Sequence, residues 1–155
     1  MKPTAVFVKR VWASFLSSSG LEPNLLSHLH LIDATPGLVK LEMMIEKKHT
    51  NRLQILHGGT VAALVDLAGS LAVASRGMFN TGVTTDLNVT YISSGGKIGD
   101  SILIEGKCHK LGRSLAFTTV EFYKHSNELF ARGTHTKYIA AAMKDEHNRI
   151  EEHKP

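Results

Sequence analysis

Residues 58–75 read GGTVAALVDLAGSLAVAS, the most apolar segment of the chain, and they contain a single ionisable side chain, Asp66. A carboxylate taken out of water without a partner costs on the order of several kcal/mol. A chain that puts one inside its most apolar helix must therefore give it a partner, water or a task. The run is at the short limit for crossing ~30 Å of hydrocarbon, is built largely of Ala, Gly and Ser, and carries a charge near its centre. It reads as a buried helix of a soluble domain, and no membrane span is expected.

Around that helix the pattern changes from helical to two-fold. Residues 38–46 alternate Val39, Leu41, Met43 and Ile45 against a more polar set, after the turn signal Thr35-Pro36-Gly37. Four further runs rich in β-formers follow the helix, at 83–92, 101–111, 114–124 and 129–139. Gly112-Arg113 fits a two-residue hairpin loop and Ser126-Asn127-Glu128 a slightly longer one, so an antiparallel meander is expected. One strand, a long helix and then four strands is an α+β order, because helices do not alternate with strands as parallel units require.

With 155 residues, 43% of them hydrophobic and 21% charged, the chain suits one globular domain with a sizeable core. The formal charge is +4, but Lys and Arg are spread along the chain rather than clustered with aromatics, which argues against nucleic acid as a partner. A lone cysteine, Cys108, excludes an intrachain disulfide and fits a reducing interior. The nine histidines form no ligand motif, so no metal is expected; His125, His147 and His153 fall in a polar turn or the tail. The first 21 residues hold Lys2, Lys9 and Arg10, four serines and no acid before Glu22. Two readings fit them: a mitochondrial transit peptide, or an amphipathic helix packing Val8, Val11, Trp12 and Phe15 on the domain. A mitochondrial location is the expectation drawn from them, with the cytoplasm as the alternative. The chain divides into an N-terminal helix or targeting segment at 1–28, a main domain at 29–142 and a polar tail at 143–155, expected to be disordered or a frayed helix.

On a helical wheel, Asp66 shares its face with Gly59, Ala62, Ala63, Gly69, Ser70 and Val73, while Val61, Leu64 and Leu71 lie nearly opposite. Small neighbours leave room for a helix, a subunit or a ligand to approach the acid. A structural acid paired with a Lys, an Arg or a backbone amide fits the same position. His57, Gly58 and Gly59 open the helix, where backbone N–H groups lack intrahelical acceptors and the dipole is positive, a setting that stabilises an oxyanion. The glycines equally suit a tight helix entry, and His57 a local hydrogen bond. Asn51 lies within reach of the same pocket or forms a turn, and Thr84 is a hydroxyl or simply a β-former at the start of a strand.

Taken together, Asn51, His57-Gly58-Gly59 and Asp66, followed by Val83-Thr84-Thr85-Asp86-Leu87-Asn88, Gly112-Arg113-Ser114-Leu115-Ala116-Phe117 and Gly133-Thr134-His135-Thr136-Lys137, resemble hotdog-fold acyl-CoA thioesterases of the phenylacetate-pathway and thioesterase-superfamily-member-2 type. The likeness spans roughly residues 30 to 140. It implies the hotdog fold, a curved antiparallel sheet around one long helix, and hydrolysis of acyl-CoA without a cofactor, coenzyme A being part of the substrate. It further implies that the Gly58 N–H polarises the thioester carbonyl, with Asn51 and His57 beside it. Asp66 would act as base or nucleophile and Thr84 would assist it, in a position where similar enzymes can carry Ser. The segments around Tyr91 to Gly96 and His109 to Ser114 would contact the nucleotide. The candidate contacts are Tyr91, Ser93, Ser94, Gly95, Lys97, Lys110, Gly112, Arg113, Ser114 and Lys137, with the acyl chain beside Leu67 and Phe79.

Spacing adds a constraint of its own. Gly58 and Asp66 are eight residues apart, so they stand about 12 Å apart along a helix at ~1.5 Å per residue. A base and an oxyanion donor must each come within about 3 Å of the reacting group or its water. Two antiparallel helices from two subunits meet that requirement, which predicts a homodimer with two shared sites; the resemblance implies dimers of dimers. A hotdog hydratase or dehydratase using His57 with Asp66, and a non-catalytic acyl-CoA binding module, are the rival readings.

Overall fold

The computed structural model describes residues 1–155 and has the expected α+β architecture: six antiparallel strands curved around one long helix. The strands are β1 (His30–Thr35), β2 (Leu38–Met44), β3 (Val83–Tyr91), β4 (Ser101–Leu111), β5 (Leu115–Lys124) and β6 (Leu129–Tyr138), and their order across the sheet is β1-β2-β4-β5-β6-β3. The helices are α1 (Pro3–Ser18), the short α2 (Leu21–Leu25) and the central α3 (Gly58–Ala74). None is long and apolar enough to cross a membrane.

Three features of the sheet differ from the sequence expectation. A strand, β1, precedes the Thr35-Pro36-Gly37 turn and pairs Thr35 with Leu38. Only Ala34 of β1 is buried, so the strand offers no hydrophobic alternation to read. The turn itself needs the left-handed backbone that Gly37 adopts, φ +86°, after a proline. The second difference is that β3 does not pair with its successor β4. It crosses to the far side and pairs with β6, from Val83 opposite Tyr138 to Tyr91 opposite Ala131, which leaves it as an edge strand with its other side open. The β4–β5 hairpin loop also falls one residue later than expected, at Arg113-Ser114, with the Gly112 N–H donating to the Leu115 carbonyl at 2.8 Å.

Leu64, Leu67, Leu71 and Val65 of α3 are buried against Ile102, Ile104, Phe122 and Phe130 of the sheet. Fully burying side chains of this size contributes ~1.5–3 kcal/mol each, enough to fix which way the helix faces. The opposite face of α3 stays open: Gly59 is exposed and Ala62, Ala63 and Asp66 are half-exposed.

The first residues form the packed amphipathic helix. Thr4, Ala5, Phe7, Val8, Val11 and Trp12 are buried, at the i, i+3, i+4 spacing of one helical face, and Pro3 starts the helix where its missing N–H costs nothing. The tail is not loose. His153 is buried with its Nδ1 3.0 Å from Thr4 Oγ1 and its ring against Phe7, while Asn148 accepts the Phe79 N–H at 2.8 Å. A polar composition hid this because the tail is held by a few specific hydrogen bonds and ring contacts rather than by an apolar face.

Candidate active site

The start of α3 and its midpoint carry two separate polar groupings, each fixed by β3. At the start, His57 is the N-cap: its Nδ1 accepts the Gly59 N–H at 2.7 Å. A ring nitrogen that accepts is unprotonated, so the proton of a neutral His57 sits on Nε2. The local hydrogen bond was one of the two sequence readings of this residue, and it occupies the nitrogen nearest the helix. The Gly58 N–H makes no hydrogen bond, while the Gly58 carbonyl accepts the Tyr91 hydroxyl at 2.6 Å. The helix therefore opens with one free donor at its positive end.

Asn51 sits in the loop leading to this point with its Oδ1 receiving the N–H groups of Leu53 at 2.9 Å and Ile55 at 3.4 Å. It is a turn former, as the simpler reading had it, and its amide nitrogen donates to no protein group. A pocket beside it is lined by Lys47, Thr50, Arg52, Gln54 and Ile98.

At the helix midpoint three elements converge. The Thr84 hydroxyl of β3 donates to Asp66 Oδ2 at 2.8 Å, and His135 Nε2 of β6 lies 2.7 Å from the same hydroxyl oxygen and 3.7 Å from Asp66 Oδ2. A hydroxyl that gives its one proton to the carboxylate can only accept from the imidazole. The chain of donors thus runs from His135 Nε2–H to Thr84 to Asp66. His135 is fully buried, and its Nδ1 has no partner. A lone pair left unmet there costs less than an unmet N–H, which fits the same tautomer. Burial first, and the Lys137 charge after it, push the His135 pKa down to about 4, against the pull of Asp66 and Asp86. Gly69 makes the approach possible: a Cβ there would lie 2.3 Å from His135 Nδ1.

Asp66 is the surprise relative to its sequence. Its side chain is 46% exposed on the open face of α3, so in the single chain the expensive buried charge is neither buried nor unpartnered. The sequence does not single out His135 as a member of the grouping. The signal that marks it is strand phase, because Ala131, Gly133, His135, Lys137 and Ile139 all point inward.

The expected nucleotide contacts are scattered. Ser93, Ser94 and Lys97 are exposed near the start of α3, where the Ile92 and Ser93 N–H groups bond the Phe130 carbonyl. Lys110, Arg113 and Ser114 are exposed at the β4–β5 hairpin beside half-exposed Gly112, toward the Thr84 end of β3, where Leu115 and Val83 flank Tyr138. Gly95 is instead buried, packed so that a Cβ would press on Leu56 and Phe130. Lys137 is the clearest correction. It is 4% exposed and its ammonium reaches inward to Ser70 Oγ at 2.5 Å and Thr81 Oγ1 at 3.3 Å, so it presents no cation to a ligand at the surface. Leu67 is buried in the core, and Phe79 packs against His147 and under Arg10.

Residues 53–131 match the thioesterase superfamily. A Schizosaccharomyces pombe protein bearing an esterase name is 46% identical over 94% of this chain and 90% of its own length. The human acyl-coenzyme A thioesterase 13 is 40% identical over 74% of this chain and 81% of its own. The crystal structure of zebrafish thioesterase superfamily member 2 superposes with a TM-score of 0.79 at 38% identity, covering 88% of this chain and 99% of that one.

Proposed function

Because this chain belongs to the thioesterase superfamily and is a thioester hydrolase, we propose that it cleaves acyl-CoA to a free carboxylic acid and coenzyme A, at a site shared by two subunits. Asp66 takes a proton from water, the water oxygen attacks the thioester carbonyl carbon, and the carbonyl oxygen gathers negative charge at the Gly58 N–H of the neighbouring helix. The carbon–sulfur bond then breaks and the proton passes to the departing thiolate. Thr84 and His135 hold the carboxylate in place.

The observation that carries this reading is the position of Asp66: on the open face of α3, one oxygen held by Thr84 and the rest of the group facing outward. A general base needs that access, and a structural acid does not. Three further observations support a homodimer. β3 is an edge strand with unpaired backbone on one side, and the α3 face beside it is lined by Gly59, Ala62 and Ala63. Gly58 and Asp66 are too far apart on one helix to serve one carbonyl. The two exposed groups of candidate nucleotide contacts lie toward Thr84 and Tyr91 at opposite ends of β3, seven residues apart and so about 23 Å at ~3.3 Å per residue. Antiparallel pairing of two helices brings the Ser93–Lys97 group of one subunit to the Lys110–Arg113 group of the other.

Complementation tests the whole reading. Asp66→Asn alone should lose at least ~100-fold in thiol release from acyl-CoA, the usual loss for a general base. Gly58→Pro alone should be similarly impaired. Unfolding and refolding the two variants together should restore roughly a quarter of wild-type activity, because half of the dimers formed are mixed and each holds one intact site. No recovery would place the two groups in one chain and end the shared-site reading.

A further inference from the structure

Lys137 is a buried cation with no carboxylate within salt-bridge reach, held only by the hydroxyls of Ser70 and Thr81. A well-packed apolar side chain at such a place commonly costs less than a charge. Its position is specific. Lys137 is the cross-strand partner of Thr84, it lies two residues from His135 on the same inward face of β6, and Ser70 is one helical turn beyond Asp66. The ammonium thus stands behind Thr84 and His135, on the far side of the grouping from solvent.

We propose that Lys137 is a positioning residue for the hydrolysis: its buried ammonium keeps His135 in the neutral form that donates Nε2–H to Thr84 and so fixes the Asp66 carboxylate. This rests on the proposed role of Asp66. A protonated His135 would bury an unmet N–H at Nδ1, facing Gly69, and its Nε2–H would close the 3.7 Å gap to Asp66 Oδ2 as an ion pair. That ion pair would displace the Thr84 bond and occupy the carboxylate that water needs. A Lys137 ammonium and a protonated His135, carried by residues about 7 Å apart along the backbone on one strand face, repel each other, and Lys137 has the stronger claim to the charge. Burial lowers its own pKa only to about 8, with Asp66 and then Glu22 holding it up. The other charged groups facing His135 are Asp66 from α3 and Asp86 from β3, while β5 turns only the Thr118 hydroxyl toward it, bonded to the His135 carbonyl.

The test compares wild type, Lys137→Met, Lys137→Gln and Lys137→Arg for thiol release from hexanoyl-CoA across the acid and alkaline limbs, with NMR titration of the His135 ring in each carried well below its midpoint near pH 4. Lys137→Gln keeps hydrogen bonds to Ser70 and Thr81 and stands in if the Met variant does not fold. Loss of the charge should raise the acid limb of kcat and the His135 midpoint together by about one pH unit, with kcat at pH 8 changed less than about threefold. Lys137→Arg should keep both at wild-type positions. An unmoved His135 midpoint, or a loss of kcat equal at all pH values, overturns the proposal. If Asp66→Asn keeps its activity, the general-base reading fails first, and the ring titration still decides whether Lys137 sets the state of His135.

Discussion

The two ends of the open face of α3 are built on different plans. At Gly58 the chemistry is a backbone N–H left free by the helix itself, with His57 capping the next residue and Tyr91 holding the carbonyl. At Asp66 it is a set of side chains from α3, β3 and β6 that meet only after the sheet has formed. A helix start presents a donor whatever side chain follows, within limits. A carboxylate aimed by a threonine and a buried histidine depends on three elements keeping register. The first end should therefore tolerate side-chain changes and fail on loss of one hydrogen, whereas the second should respond in graded steps.

The sharpest way to break that contrast is at Gly58. Proline at the first helical position removes the free N–H while keeping a helical φ, and His57 before it already has the extended backbone, φ −72° and ψ 135°, that a residue preceding proline prefers. Gly58→Pro should fold with a melting point near wild type and lose about 100- to 1000-fold in kcat, the usual effect of removing one oxyanion donor. Gly58→Ala should keep most of its activity, since a Cβ there only touches the Tyr91 ring at 3.4 Å. If proline and alanine behave alike, the N–H is not the working group and the contrast between the two ends collapses.

At the other end Thr84 grades the response. Thr84→Val deletes the hydroxyl between His135 and Asp66 but keeps the shape, and a hydrogen bond to a charged group contributes ~1.5–3 kcal/mol, or about ten- to a hundredfold in rate. Thr84→Ser should recover most of it in steady-state thiol release, because the donor and acceptor both survive. A Val variant as active as the Ser variant would reduce the Thr84 bond to a structural contact.

The same contrast explains what could be read before folding. The Gly58 end is contiguous: His57, Gly58 and Gly59 stand together, the apolar run that follows announces a helix, and the wheel sets Asp66 among small residues, of which Gly59, Ala62 and Ala63 are open while Gly69, Ser70 and Val73 are buried. Its partners were legible only in part. Thr84 is named by the motif, but His135 and Lys137 lie in a strand whose outward positions, Thr134 and Thr136, are polar too. Neither face of that strand looks apolar, so alternation alone does not say which polar residues point inward, and Lys137 reads as a surface cation. β1 escaped for a related reason, since five of its six residues are not buried and the strand is held by pairing with β2 rather than by the core. The edge position of β3 follows from a crossover, which local sequence does not encode.

The smallest expected effect is on stability, and it also separates the two ends. His135 has a folded pKa near 4 against about 6.5 in an unfolded chain, so between those values the unfolded state binds more protons. Stability must then fall as the pH drops from about 6.5 through 4, and it is fully present above that window. Lys137 behaves in the same sense at higher pH: with a folded value near 8 against about 10.4 unfolded, the unfolded state again binds more protons, and stability rises as the pH climbs between them. Melting midpoints recorded in steps from pH 7 to pH 4 should fall by a few degrees in the wild type. His135→Gln, which keeps a donor for Thr84 but cannot take up a proton, should flatten that slope, while Gly58→Ala at the exposed end should leave it unchanged. Parallel curves for wild type and His135→Gln would mean that the buried imidazole is not what couples this fold to acid, and that the Asp66 end is no more sensitive to protons than the end built from backbone.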